Sequence, residues 1–193
     1  MADRREEIIQ AGIEIFAAKG YYNTHISEIV ESVGIAKSTF YLYFNSKKDL
    51  FIALIERFEN LFLDIFKDEI LITNDKNLKL FFSKILKKIF AFYKNNKDLT
   101  IIILREAVAV NEKFGEEFRQ MEAKRFQRIN KLYQFLLDNH YLAQKIDYDY
   151  FVCVFVGIME SVVMRRFLLS EQDFKVEEAA DKVSIYLAKA IKK

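Results

Sequence analysis

Apolar residues in the first twenty positions recur at intervals of three and four, the spacing of one face of an α-helix. Charged residues occupy many of the positions between them. This pattern predicts an amphipathic helix over about 4–19, which Gly20 then ends. The apolar face comprises Ile8, Ala11, Gly12, Ile15 and Phe16.

Two short helices are predicted next, separated by a glycine turn. Thr24 is the expected N-cap of the first, and Gly34 ends it. The aromatic residues of 37–44, taken alone, are typical of a strand. The flanking signals favour a helix instead, because Gly34 precedes the segment and residues 46–49 resemble a capping box.

The rest of the chain predicts a long fourth helix and about five more. From Ser46 an apolar stripe continues for about five turns, so this helix is expected to link two domains. The predicted fold is all-α, with about nine helices: a three-helix helix-turn-helix domain at 1–46 and a larger C-terminal helical bundle domain at 47–193. Weak breaks between the later helices lie at 73–75, 95–96, 111, 139–140 and 170–172.

Composition excludes several classes of protein. The chain has no proline, so its helices can run long. A single cysteine, Cys153, builds neither a disulfide framework nor a cysteine-rich metal site. The longest strongly apolar run, 150–159, is far shorter than the roughly twenty residues of a membrane span. We therefore expect no membrane segment, no metal, no cofactor and a cytoplasmic location.

The first three predicted helices have the spacing of a helix-turn-helix, whose second helix enters the major groove of DNA. In that helix only Phe40 and Phe44 clearly suit a core, and residues four apart share a face. The other side chains can contact phosphates and base edges. The formal net charge of the chain is only +2, but residues 32–48 hold three lysines and no acid. Positive charge is thus concentrated at the proposed DNA-reading edge.

Residues 20–50 resemble the DNA-binding domain of the TetR family of transcriptional repressors. Two positions depart from the family pattern: Val30 replaces the usual alanine, and Ala36 replaces the common serine N-cap, which affects fine geometry rather than function. The resemblance rests on Thr24, Ile29, Gly34, the segment 37–41, Tyr43, Phe44, Ser46, Lys47 and Leu50.

The resemblance implies a homodimer on operator DNA, with a recognition helix from each subunit. It also implies two kinds of contact to the double helix. Phosphate contacts are expected from Thr24, Tyr43 and Lys47. Base-edge contacts are expected among Ser27, Lys37, Ser38, Thr39 and Tyr41, and His25 belongs to one of these two sets.

The resemblance further implies a ligand pocket in the C-terminal half, which is rich in phenylalanine. Such linings suit an apolar or amphipathic effector, although most of these rings fill core. Arg105 and Glu160 interrupt apolar helices, so each either orients a polar head group or pairs with another charge. The predicted lining is Phe62, Phe66, Phe90, Tyr93, Leu104, Arg105, Val108, Phe126, Tyr133, Phe155 and Met159.

The last two predicted helices, about 147–169 and 173–191, are apolar over more than one stripe. A helix exposed on one side does not need this, and the family resemblance implies a four-helix dimer interface here. The predicted interface residues are Phe151, Phe155, Ile158, Val162, Val176, Ala180, Val183, Leu187 and Ile191.

Two other classes of protein compete with a DNA-binding sensor. A carboxylate-bridged metal enzyme needs Glu-x-x-His pairs on facing helices, but neither His25 nor His140 has a glutamate three residues before it. No nucleophile and base pair stands out either, so we expect no enzyme. The second alternative keeps the DNA-binding domain but makes the C-terminal half a module that binds a partner protein, and the sequence leaves this open.

Overall fold

The computed structural model describes residues 4–66, 77–109, 115–142, 146–167 and 174–191. These residues form nine α-helices and one short 3-10 helix, Asp64–Phe66, and contain no strand. The all-α prediction is confirmed. The helices are α1 (Arg4–Lys19), α2 (Ile26–Val33), α3 (Lys37–Tyr41), α4 (Lys47–Leu63), α5 (Leu78–Asn95), α6 (Lys97–Ala109), α7 (Gly115–Asp138), α8 (Tyr148–Phe167) and α9 (Val176–Ile191).

Most helix boundaries follow the turn signals of the sequence. α5 ends at Asn95, and the Asn96 side chain donates to the Phe92 carbonyl. α7 ends before Asn139, as predicted. α4 begins with the predicted capping interaction, because the backbone N–H of Asp49 donates to the Ser46 hydroxyl. The breaks predicted at 73–75, 111 and 170–172 lie outside the described residues.

The described chain divides into two compact units. The first comprises Met1–Asn60 and Asp98–Met121, and the second comprises Leu61–Lys97 and Glu122–Lys193. α4 contributes to both. Nearly all of α6 groups with α1 to α3, an association that the order of the chain does not reveal.

The first unit is packed around a close approach of α1 and α4. A Cβ on Gly12 would lie 3.0 Å from Leu50 Cδ2, so a larger residue would fit only if the Leu50 side chain shifted. Next to this contact, the rings of Phe16 and Phe51 meet edge to face with centroids 5.5 Å apart. The predicted apolar face of α1 is buried here, apart from the half-buried Ile15.

The second unit has an aromatic core built mainly on α5. Phe81 stacks on Phe135 of α7, with centroids 5.4 Å apart, and Phe82 lies against Phe155 of α8. α5 and α9 also pack along each other, and the Ser83 hydroxyl donates to the Asp181 carboxylate at 2.6 Å. Contacts between residues far apart in sequence therefore hold this unit together.

Among the described helices, none combines the length and the apolar character that a membrane span requires. Within the same described segments, no group of three His, Cys, Asp or Glu side chains is placed to hold a metal ion.

Candidate nucleic-acid interface

The turn between α2 and α3 is set by Gly34. Its φ of 70° lies in the left-handed region, which glycine adopts without the steric cost of a side chain. The Gly34 N–H donates to the Glu31 carbonyl, and the Ile35 N–H donates to the Val30 carbonyl at 2.9 Å. These two bonds close the end of α2 and direct the chain into α3 within three residues.

α3 is anchored on one side and exposed on the other. Phe40 is fully buried and Phe44 is 2 % exposed, as the spacing predicted. Thr39 is half-buried. The remaining predicted contact residues of this segment are open to solvent: Lys37, Ser38, Tyr41 and Tyr43.

The start of α2 adds two further predicted residues to this exposed surface. His25 and Ser27 are both exposed. His25, and not Thr24, is the N-cap of α2, and its backbone N–H donates to the Glu28 carboxylate at 2.9 Å. The Lys19 ammonium and this N–H hold the pKa of the Glu28 carboxyl below its usual value. The Glu28 carboxylate is therefore already paired with a cation of α1.

Thr24 has a structural role that the sequence prediction missed. Its side chain is fully buried, and its hydroxyl donates to the Gly20 carbonyl at 2.8 Å. The predicted N-cap at this residue is wrong because the hydroxyl turns back toward α1. The predicted phosphate contact from this side chain is wrong for the same reason, since no part of it reaches the surface.

Lys47 also faces inward. Its ammonium donates to the backbone carbonyls of Tyr21 and Thr24, both at 2.7 Å, and lies 4.4 Å from the centroid of the Tyr21 ring. Burial raises the pKa of the Tyr21 hydroxyl above its ordinary value. A phosphate contact from Lys47 would compete with these interactions, and the geometry favours a role in fastening α4 to the turn that precedes α2.

Leu42 is a candidate contact residue that the sequence analysis missed. It is 81 % exposed, although it lies between the buried rings of Phe40 and Phe44 in sequence. One signal would have identified it: Leu42 stands four residues after Ser38, on the face of the helix opposite the two phenylalanines.

Arg105 of α6, predicted to line a ligand pocket, instead contacts the end of α1. Its guanidinium donates to the carbonyls of Phe16 and Ala17, the second at 2.9 Å. A cation at the carbonyl end of a helix is favourable because it satisfies groups that the helix leaves unpaired. This arginine fastens α6 to the helix that supports the helix-turn-helix.

The other predicted pocket residues divide between the two units. Leu104 and Phe126 are half-buried, and Glu160 pairs with Arg125 at 2.8 Å. The side chains of Phe66 and Val108 lie outside the described residues. Those buried in the second unit pack among other aromatic and apolar side chains: Phe62, Phe90, Tyr93, Tyr133, Phe155 and Met159.

The predicted dimer residues mostly lie inside one protomer. Ile158, Val162 and Val176 are half-buried. The other six are less than one-tenth exposed within the second unit, where their side chains contribute to its core. They are Phe151, Phe155, Ala180, Val183, Leu187 and Ile191. The same two helices instead expose a different apolar set: Tyr150, Val154, Met164, Ile185 and Tyr186.

Comparison with known proteins agrees with this geometry. Residues 8–54 match the family model of the bacterial regulatory proteins of the tetR family. The HTH-type transcriptional regulator YvdT of Bacillus subtilis (strain 168) is 25 % identical over 186 residues, which cover 96 % of this chain and 94 % of that protein. The fatty acid metabolism regulator protein of the same organism is 26 % identical over 60 % of this chain and 58 % of its own length.

Two solved structures share the whole fold. The fatty acid degradation regulator FadR from Bacillus halodurans superposes with a TM-score of 0.84 at 20 % identity, covering 97 % of this chain and 96 % of that one. The transcriptional regulator FadR from Bacillus subtilis, in complex with stearoyl-CoA, superposes with a TM-score of 0.82 at 19 % identity, covering 96 % and 98 %. Residues 8–54 therefore form a DNA-binding domain of the tetR family of bacterial regulatory proteins, and the chain is similar over nearly its whole length to a helix-turn-helix transcriptional regulator.

Proposed function

We propose that this chain is a repressor that binds a two-fold operator through α3 and leaves it when a small apolar or amphipathic ligand binds the C-terminal half. The observation that carries the DNA-binding part is the exposed side of α3, which the buried Phe40 and Phe44 hold in place. Under this proposal, residues 1–46 contain the DNA contacts and 47–193 serve ligand sensing and dimerisation. Binding to DNA places the protein with the chromosome, in the cytoplasm.

Selection of bound fragments from a random DNA pool tests this proposal. A dimer with one recognition helix per subunit should select two similar half-sites, inverted and separated by about ten base pairs or a multiple of that spacing. Recovery of fragments without a shared sequence would contradict specific DNA reading. Recovery of a single unrepeated site would contradict the dimer.

We propose that the dimer forms through the apolar side chains that α8 and α9 expose. Tyr150 is 73 % exposed and Tyr186 is 69 % exposed. Between exposed side chains of α8, a Cβ on Gly157 would meet nothing within 4 Å, which leaves room for the approach of a second helix. A symmetric dimer presents the same surface twice, so a second copy of this chain is the proposed occupant.

Sedimentation of a charged variant tests the dimer. Tyr186→Asp places two carboxylates in the proposed interface and should convert the protein to a monomer at micromolar concentration. Tyr22→Asp is the matched control, because Tyr22 of the first unit is 48 % exposed. Its mass in solution should stay that of a dimer. Equal masses for the two variants would overturn this choice of interface.

The ligand class is proposed from the relatives and from the chemistry of the second unit. One relative regulates fatty acid metabolism, and one structural neighbour is bound to stearoyl-CoA. In this chain, α5, α7 and α8 bring many aromatic rings together, which suits a long acyl chain. We therefore propose a fatty-acyl ligand with a polar head group.

Titration with acyl-CoA thioesters of different chain length tests the ligand proposal. The expected result is a rise in the melting temperature together with a loss of affinity for the selected DNA, since the two binding events must be coupled reciprocally. If saturating ligand leaves operator affinity unchanged, release by ligand is wrong. If no small molecule raises the melting temperature and a protein releases the DNA, the C-terminal half is a partner-binding module.

Two contacts within the first unit suggest how ligand binding could change the position of α3. Lys47 fastens the first turn of α4 to the segment before α2, and Arg105 fastens α6 to the end of α1. α4 also contributes residues to both units. We propose that the ligand displaces α4 or α6, that the helix-turn-helix moves with them, and that the separation of the two recognition helices in the dimer changes.

A further inference from the structure

Leu42 is a leucine in an unusual position. It is 81 % exposed, more than any other large apolar residue among the described part of the chain. Its backbone is still helical, with φ −74° and ψ −22°, and its N–H donates to the Thr39 carbonyl at 3.2 Å. The hydrogen-bonded helical backbone therefore fixes the position of this side chain at the end of α3.

The helical geometry places Leu42 at the centre of the outward face. Successive residues of an α-helix are rotated by about 100°. Ser38 and Leu42, four residues apart, consequently lie on the side of the helix roughly opposite Phe40 and Phe44. The two phenylalanines are buried and the serine and leucine are exposed, which agrees with this placement.

The surroundings of Leu42 favour DNA as the partner that covers it. No acidic residue lies between 32 and 48, and Lys37 is exposed at the start of the same helix. A second copy of this surface would bring like charges together, whereas the phosphates of DNA would be attracted. Within the major groove, the C5-methyl group of thymine is the apolar group that base pairs display.

We propose that Leu42 is a specificity-determining residue that contacts a thymine methyl group in each half-site. This inference rests on the proposed function, since it requires α3 to lie in the major groove. Leu42 has no hydrogen-bonding group, so its preference acts only through apolar contact. Neighbouring polar side chains of α3 are left to contact base edges and phosphates.

The test removes the methyl group and the leucine separately and together. A duplex that the wild-type protein selects from a random pool is synthesised with each thymine replaced, one at a time, by deoxyuridine. For the wild type, one position per half-site should lose about three- to tenfold in affinity, the scale of a single apolar contact. For Leu42→Ala, affinity for the unmodified duplex should be lower, and that same replacement should have almost no further effect.

Leu80→Ala is the matched control, because Leu80 of α5 is 46 % exposed. Its profile along the duplex should equal that of the wild type. If Leu42→Ala and the wild type lose the same affinity at every replaced thymine, the assignment of Leu42 is overturned while DNA binding stands. If the wild type selects no duplex at all, the proposed function fails first and this inference fails with it.

Discussion

The two units of this protein are specified in different ways. The helix-turn-helix of the first unit is defined by short-range signals, such as the left-handed Gly34 and the Ser46–Asp49 capping interaction. The second unit is held by ring contacts between distant helices, as between Phe81 and Phe135. A family's DNA-binding motif can therefore be recognised from a few residues, whereas the packing of the second unit is not encoded in any short segment.

The largest loss of stability should come from truncating Phe40, the buried side chain that anchors α3. Phe40→Ala leaves a cavity beneath the recognition helix, and a fully buried phenylalanine contributes about 3–5 kcal/mol. Urea unfolding should show this loss in the first unit. Tyr41→Ala is the control, since Tyr41 is 47 % exposed. It should keep the stability of the wild type and lose only DNA affinity, and equal destabilisation by both changes would contradict the two-sided description of α3.

A smaller loss is expected from Arg105→Met, which removes the cation at the end of α1. Two hydrogen bonds from a charged donor are lost, and we expect a destabilisation of about 2–3 kcal/mol in urea. Arg119→Met is the control, because the Arg119 side chain is 69 % exposed and pairs with a neighbour on its own helix, Glu116. Its change should be within about 0.5 kcal/mol. If Arg105→Met is equally neutral, the proposed fastening of α6 is wrong.

Substitutions of Lys47 and Lys37 should affect different properties, the first stability and the second the salt dependence of DNA affinity. Lys47→Met should lower stability by about 1–2 kcal/mol through its lost hydrogen bonds, without altering the dependence of DNA affinity on salt. Lys37→Met should leave stability unchanged. It should also reduce the slope of log K against log salt by about one unit if its exposed ammonium meets a phosphate.

Fluorescence anisotropy at several salt concentrations gives the slope of log K against log salt for each of these two variants. A flattened slope for Lys47→Met at wild-type stability would show that Lys47 contacts phosphate instead of fastening the turn.

The smallest expected effect is a pH-dependent change in melting temperature that arises from the packing of α5 on α9. The Ser83 hydroxyl, with a smaller contribution from Lys87, holds the pKa of the Asp181 carboxyl below its ordinary value of 3.8. Stabilisation from this carboxylate is complete above the pKa of the unfolded chain and is lost as the pH falls through the lower pKa of the folded state. Ser83→Ala should therefore lower the melting temperature slightly at pH 7.

Melting curves from pH 7 to pH 2 should show this difference disappearing in acid. Ser161→Ala, at an exposed position of α8, is the control and should follow the wild type throughout. A difference between Ser83→Ala and the wild type that grows in acid would contradict the assigned direction of the Asp181 pKa.

The sequence predicted the helices well because helix ends depend on nearby residues. It misplaced the N-cap of α2 because both Thr24 and His25 precede the helix, and only the fold turns the Thr24 hydroxyl back to Gly20. It also assigned Lys47 to phosphate, since the tertiary position of its ammonium near Tyr21 has no signal in the local pattern.

The burial of most of the predicted interface residues of α8 and α9 has a related cause. These helices are apolar on more than one side, so periodicity identifies no unique outward face. Phe155 and Val154 are neighbours in sequence, yet the first is 1 % exposed and the second 37 % exposed. Only the packing of the other helices decides which apolar stripe is left for a partner.

Directed cleavage of DNA from the start of α3 tests the central claim most directly. Ala36 is exposed and has no proposed contact, so Ala36→Cys, in a chain whose exposed Cys153 is changed to serine, can carry an iron-EDTA group. On the selected duplex, we predict two symmetric clusters of cuts about ten base pairs apart or a multiple of this. The same probe at exposed Asn130 of α7 should not give these clusters. Absence of cleavage from residue 36, or one unpaired cluster, would contradict a dimer with α3 in successive major grooves.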